Sequence, residues 1–278
     1  MKILTWDTPN FGDRLNEHVW SHYLGERLCE TDPELLVGIG SLLNHRLPVG
    51  ATKYILGAGV GHGDAPTLDE SWKIGWVRGP RSAQFLGLPA EAAITDGAML
   101  LADLVDPPQA KRYPVSFIPH CSAVGPGSLE VLQALCAEAG IHFINPESPV
   151  PRVLDEIGAS QRVIAEALHG AITADALRIP WHPVTRRGVF SFKWQDWTES
   201  MELRYDPTLL MYRPQWFAED AHERLSRRLV FPLLAPASRL ALGRQLRRIA
   251  RGDDWRLSDP AVLADRVARM KRALARIV

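Results

Sequence analysis

The chain has 278 residues, few cysteines, no long apolar run and no net charge, and each shortage excludes a class of protein. Cys29, Cys121 and Cys136 are odd in number and form no CxxC pair, which argues against a disulfide framework or a zinc site. No apolar run reaches the roughly 18 residues that a membrane span requires. The opening Met1-Lys2-Ile3-Leu4-Thr5-Trp6-Asp7 meets an acid too soon for a signal peptide. No GxGxxG opens a helix and no P-loop occurs, so dinucleotide and ATP chemistry are disfavoured; Asp-x-Asp is missing as well. With 46% hydrophobic residues the composition is globular, and a reduced cytoplasmic protein is expected.

The zero net charge conceals an asymmetry. Residues 221–278 carry 14 Lys+Arg against 5 Asp+Glu, leaving 18 against 27 for residues 1–220. A basic tail on an acidic body suggests an anionic partner, either a membrane surface such as the inner face of the cytoplasmic membrane or nucleic acid; a solvated helix face, or docking of the tail onto the body, is the alternative. Leu263, Val267, Met270 and Leu274 form an apolar stripe on a basic helix, which suits either role.

Two series of alternating strands and helices precede the tail. Ile3–Trp6, Leu35–Gly40, Tyr54–Gly59, Lys73–Val77 and Ala93–Thr95 read as strands of the first series. Pro80 suits a helix start and Gly87 its stop, and a short helix is predicted over 98–104. Asp106-Pro107-Pro108-Gln109-Ala110 reads as a linker. Strands Val115–Ile118, Ile141–Ile144 and Arg162–Ala165 then alternate with helices over 128–139, 150–157 and 169–177. The expected fold class is therefore α/β, with Rossmann-like lobes over 1–106 and 111–200, a cleft between them, and a basic helical extension over 201–278.

Chemistry-bearing residues gather at predicted strand ends. His169 falls where a buried strand turns into a helix of small residues, where unpaired amides favour an anion and an imidazole can donate to it or act as acid. Arg78 and Arg81 flank another helix start, suited to a carboxylate or phosphate, or to a salt bridge with an acid of this half. Asn10 and Asp13 sit in the first loop, where Asp13 could cap a helix or orient an acceptor hydroxyl. Asp96 is open to the same two readings, and His120 is a second acid/base candidate. The glycine runs 38–40 and 57–61 permit close backbone approach to a ligand. Phe190-Ser191-Phe192-Lys193-Trp194-Gln195-Asp196-Trp197 could stack on a sugar and present Lys193 to an anion, or pack on a domain edge. Nucleic acid is not expected, because basic and aromatic residues do not interleave.

Taken in order, these segments resemble the polysaccharide pyruvyl transferase family, in particular the exopolysaccharide ketal-pyruvate transferases of the xanthan and succinoglycan kind. The resemblance rests on Asn10-Phe11-Gly12-Asp13, Val77-Arg78-Gly79-Pro80-Arg81-Ser82, Asp96-Gly97-Ala98, Ile118-Pro119-His120, Leu168-His169-Gly170-Ala171 and Phe192-Lys193-Trp194, and it covers about residues 1–200. Asp96-Gly97-Ala98 departs from the more common Asp-Pro-Ala.

The resemblance implies a glycosyltransferase-B-like fold, phosphoenolpyruvate as donor, and a cyclic pyruvate ketal on a lipid-linked sugar as product. It implies that Arg78, His169 and Lys193 hold phosphoenolpyruvate, with Arg81 nearby; Arg186 or Arg187 could replace Lys193. His169 is the expected acid, and Asp13, Glu166 and His120 are the candidate bases. Asn10, Asp13, Asp96 and Trp194 are placed on the acceptor side. No metal or other cofactor is expected. The alternatives are a metal-independent nucleotide-sugar glycosyltransferase, or a non-catalytic carbohydrate- or membrane-associated binding protein.

Overall fold

Short apolar runs ending in glycine become strands buried on both faces, the pattern that parallel sheets demand. The computed structural model describes residues 1–5, 10–61, 64–187, 191–212 and 225–277, with backbone only for 225–236. Trp6, Phe190 and residues 213–224 of the predicted segments lie outside the described residues.

The first sheet takes β1 (Lys2–Ile3), β2 (Leu35–Val37), β3 (Lys53–Leu56) and β4 (Trp72–Trp76), all parallel and in sequence order. Helix α1 (Phe11–Leu24) buries Leu15, Val19 and Trp20 against it. Helix α2 (Pro80–Phe85) starts on Pro80, whose missing N–H costs nothing at a first helical position. Gly87 follows at φ 65°, the left-handed stop that glycine takes without strain. Asp96 opens a 3-10 turn, Gly97–Leu100, that runs into α3 (Leu101–Leu104). The strand predicted over 93–95 reduces to a single bridge from Ala93 to Val77, because the chain turns at Asp96.

The second sheet contains β5 (Ser116–Ile118), β6 (His142–Phe143), β7 (Val163–Ala165), β8 (Trp181–Thr185) and β9 (Thr208–Leu209), parallel throughout, in the order β6-β5-β7-β8-β9. Helix α4 (Ser128–Glu138) leads from β5 to β6, and α5 (Val150–Gly158) crosses back over β5 to β7. Helices α6 (Leu168–Ala176) and α7 (Phe192–Ser200) continue outward. The reversal opens a crevice beyond the carboxyl ends of β5 and β7, where ligands of such sheets bind. The first sheet has no reversal. Strands β8 and β9 and helix α7 were not among the predicted elements. The alternating aromatics of 190–197 hid the helical spacing of Trp194 and Trp197, both buried.

One apolar core joins the sheets, with Trp20 and Trp76 of the first in the same cluster as Ile118, Trp181 and Trp197 of the second. At the end of the chain, α8 (Leu225–Arg251) packs on α4, and α9 (Pro260–Ile277) packs on β4. The stripe Leu263, Val267, Met270 and Leu274 is buried. Arg266 pairs with Glu202 at 3.1 Å and Lys271 with Asp103, so α9 docks on the acidic body. Among the described residues no helix is long and apolar enough to cross a membrane.

Candidate functional site

The cleft at the reversal point holds about 140 Å³ and is built from residues that follow strand ends. Asn10, Gly12 and Asp13 come after β1, Gly40 and Ser41 after β2, His120 and Cys121 after β5, Pro146 after β6, Ala167 to His169 after β7, and Lys193 after β8. Both sheets therefore direct their carboxyl ends at one space, and α1, α6 and α7 all begin there.

Asn10 caps α1 by accepting from the Gly12 N–H at 3.2 Å, so capping falls to Asn10 and Asp13 occupies the first turn. The Asn10 side-chain amide also donates to the Asp13 carboxylate at 3.2 Å. Helix α6 begins differently: its N-cap is Ala167, which offers no side-chain acceptor, so its first amides open toward the cleft beside His169. Helix α7 likewise has no capping side chain, and Lys193 lies in its first turn. Positive helix ends without side-chain caps, together with an ammonium, favour an anion.

His169 is held from two sides. A Cβ built on Gly12 would lie 2.0 Å from its Nδ1, so only glycine at position 12 lets α1 approach the ring. On the far side Nε2 lies 3.7 Å from Asp96 Oδ2, and neither atom has a hydrogen-bond partner among the described residues. The other Asp96 oxygen accepts the Ala98 N–H at 2.9 Å, which fixes the carboxylate in the 3-10 turn. Asp96 is thus both a cap and the group behind the histidine. The carboxylate thus lies on the Nε2 side of the ring, while Nδ1 lies on the side of Gly12 and α1.

Lys193 lines the cleft, and its pKa is lowered by burial first and by Arg78 second. Arg78 is fully buried: Nε donates to Asp196 Oδ2, Nη1 to Ser41 Oγ and Nη2 to the Val60 carbonyl, each at 2.9 Å. Asp196 also accepts from Ser82 N and Ser82 Oγ. Arg81 pairs with Glu199 and Gln195. Both arginines therefore tie α2 of the first sheet to α7 of the second and set Lys193 over the cleft. Only the Ser41 contact brings Arg78 toward the lining. The glycine run 57–61 serves this pairing: a Cβ on Gly59 would lie 2.2 Å from the Arg78 guanidinium carbon, so the close approach there is to a side chain.

Around His120 the second sheet supplies a buried network. Glu166 accepts the His120 N–H at 3.1 Å and the Tyr212 hydroxyl at 2.7 Å, and it pairs with Arg186. Arg186 also donates to Ser122 Oγ at 2.8 Å, whereas Arg187 is exposed. Burial, then Lys193, Arg186 and His169, depress His120 to about 3, so its ring is neutral at physiological pH. Cys121 beside it is kept protonated by burial. Trp194 does not reach the cleft: it is buried and stacked on Tyr205, with ring centroids 5.2 Å apart, and so offers no face to a sugar. Asp196 and Tyr212 went unassigned in the sequence, because their partners lie 118 and 46 residues away.

Over 215 residues the chain is 38% identical to the succinoglycan biosynthesis protein ExoV of Rhizobium meliloti (strain 1021), a match spanning 74% of this chain and 67% of that protein. No family model matches the chain, and no solved structure does so significantly.

Proposed function

Because the chain belongs to the polysaccharide pyruvyl transferase family, we propose that it transfers the enolpyruvyl group of phosphoenolpyruvate to a sugar of a lipid-linked exopolysaccharide repeat unit, forming a cyclic ketal and releasing phosphate. The observation that carries this reading is the start of α6: amides with no capping side chain and an oriented His169 open into the same cleft as the Lys193 ammonium. A phosphate and a carboxylate on one small molecule match that donor set. We read the two sheets as glycosyltransferase-B-like lobes with the acceptor entering on the Asn10 and Asp13 side.

In this mechanism a doubly protonated His169 gives one ring proton to the methylene carbon of the enol, and positive charge develops at C2. A sugar hydroxyl adds to C2, losing its proton to a base. Phosphate then leaves, and the neighbouring hydroxyl closes the ring, its proton departing with the phosphate. Asp13 serves as the base in this reading, because Glu166 is occupied by Arg186, Tyr212 and the His120 amide, and His120 Nδ1 accepts the Ser122 N–H. Asp96, 3.7 Å from Nε2, acts through His169 by offsetting the positive charge of its protonated ring, and Lys193 binds the anion.

The test uses phosphoenolpyruvate with lipid-linked oligosaccharide extracted from exopolysaccharide-producing cells, and follows phosphate release and the mass of the glycan. Acceptor-dependent release, with one ketal-linked pyruvate gained, is the expected result. His169→Asn should abolish turnover while phosphoenolpyruvate still binds, and Asp96→Asn should lower kcat with little change in KM. Phosphate release without pyruvate on the glycan would refute the reading.

A further inference from the structure

The excess positive charge of the C-terminal region is not spread evenly over its two helices. On α9 the cations Arg266, Arg269 and Lys271 meet the acids Glu202, Asp265 and Asp103, and Arg272 and Arg276 alone are exposed without an ion pair among the described residues. Helix α8 is built otherwise. Its 27 residues hold seven arginines and no aspartate or glutamate.

Where its side chains are described, three faces of α8 separate. Leu242, Leu246 and Ile249 are buried in the second apolar cluster. Arg239, Leu240, Gly243 and Arg247 border a groove against α4, where Glu130 and Glu138 also lie. Arg244, Arg248 and Arg251, spaced four and three residues apart, share the remaining face; all three are exposed and make no ion pair among the described residues. The negative helix end favours Arg248 and Arg251 in the last turn. It does not account for Arg244, nor for the absence of any acid over seven turns.

Half-exposed apolar groups flank this face. Leu240 is 51% and Met211 53% exposed. Met211 is attached to α8, because its N–H donates to Gln245 Oε1 at 2.8 Å. The next residue, Tyr212, reaches the other way and donates to Glu166, which holds the His120 amide beside the cleft. The basic face is therefore one residue removed from a side chain wired to the site rim.

We propose that the Arg244, Arg248 and Arg251 face of α8, with Leu240 and Met211 at its margins, docks on an anionic phospholipid surface. Arginines there meet lipid phosphates, and the two apolar side chains enter the headgroup boundary. Helix α9 stays on the body. The proposal deepens the reading of a lipid-linked acceptor, since docking brings the membrane to the side of the protein that carries Tyr212 and Glu166. It rests on that reading for its purpose but not for its measurement.

The test is co-sedimentation of the full chain with vesicles of phosphatidylglycerol and phosphatidylcholine in equal parts, and with pure phosphatidylcholine, at low and physiological salt. The variants are Arg244→Gln/Arg248→Gln/Arg251→Gln and, as the control on α9, Arg272→Gln/Arg276→Gln, with circular dichroism confirming the fold. Wild type should bind the anionic vesicles only, and more weakly as salt rises. Each lost arginine should weaken binding about fivefold, so the α8 triple variant should fall by on the order of 10²-fold while the α9 variant keeps most of its affinity. Equal binding by wild type and the triple variant, an equal loss in the α9 variant, or retention on single-stranded DNA without vesicle binding would overturn the assignment. Failure of pyruvyl transfer would leave the vesicle result standing, so the two readings fail separately.

Discussion

Replacing Gly12 by alanine should leave the protein folded and cripple its chemistry. Position 12 is the second residue of α1, where alanine is favoured over glycine by about 1 kcal/mol. Against that gain, the new Cβ would stand 2.0 Å from His169 Nδ1, 2.7 Å from Cγ and 2.8 Å from Cε1. Ordinary contact begins near 3.4 Å, so the ring must retreat by about 1.4 Å. It cannot retreat in place, because the fully buried Asp96 stands behind it. It must therefore rotate out of the cleft and lose the carboxylate. A displacement of that size is expected to lower kcat/KM about 10²-fold, while stability changes by no more than about 1–2 kcal/mol. Initial rates of acceptor-dependent phosphate release and urea midpoints of wild type and Gly12→Ala test this directly. Wild-type turnover in a folded Gly12→Ala protein would refute the claim that the ring works from its present position.

Other substitutions separate the architecture from the site. Asp196→Ala strands the buried Arg78 guanidinium and should cost about 3–5 kcal/mol of stability, read from urea unfolding; a change below 1 kcal/mol would contradict the cross-sheet role. Lys193→Met should leave unfolding unchanged and raise KM for phosphoenolpyruvate roughly 10- to 100-fold, the scale of a lost charged hydrogen bond. The depressed His120 makes the protein acid-sensitive: the unfolded chain takes up a proton near 6.5 and the folded one only near 3, so stability present above pH 6.5 falls as pH drops toward 3. In His120→Asn that part of the slope should vanish, and an unchanged pH–stability curve would show that His120 contributes nothing to it.

What the sequence disclosed was local. Strands β2, β3, β5 and β7 were legible because buried parallel strands are continuous apolar runs, and Pro80 and Gly87 marked the start and stop of α2 by backbone geometry alone. Strand β8 was not legible, because Trp181-His182-Pro183-Val184-Thr185 carries a proline and a histidine, and its His182 is buried only through bonds to Thr208 and Asp254. His169 could be placed at a helix start from its neighbours. That Gly12 and Asp96 grip its ring depends on packing between the two sheets and could not be read from spacing. Arg78 shows the same limit: its type and position suited an anion, and a carboxylate 118 residues away fills that role.

The most direct test of the central claim is thermal unfolding of wild type and Lys193→Met with phosphoenolpyruvate, inorganic phosphate or a nucleotide sugar, since a ligand that binds only the folded state raises the midpoint by mass action. A rise specific to phosphoenolpyruvate in the wild type, much reduced in Lys193→Met, is the predicted result. A rise with the nucleotide sugar and none with phosphoenolpyruvate would contradict it.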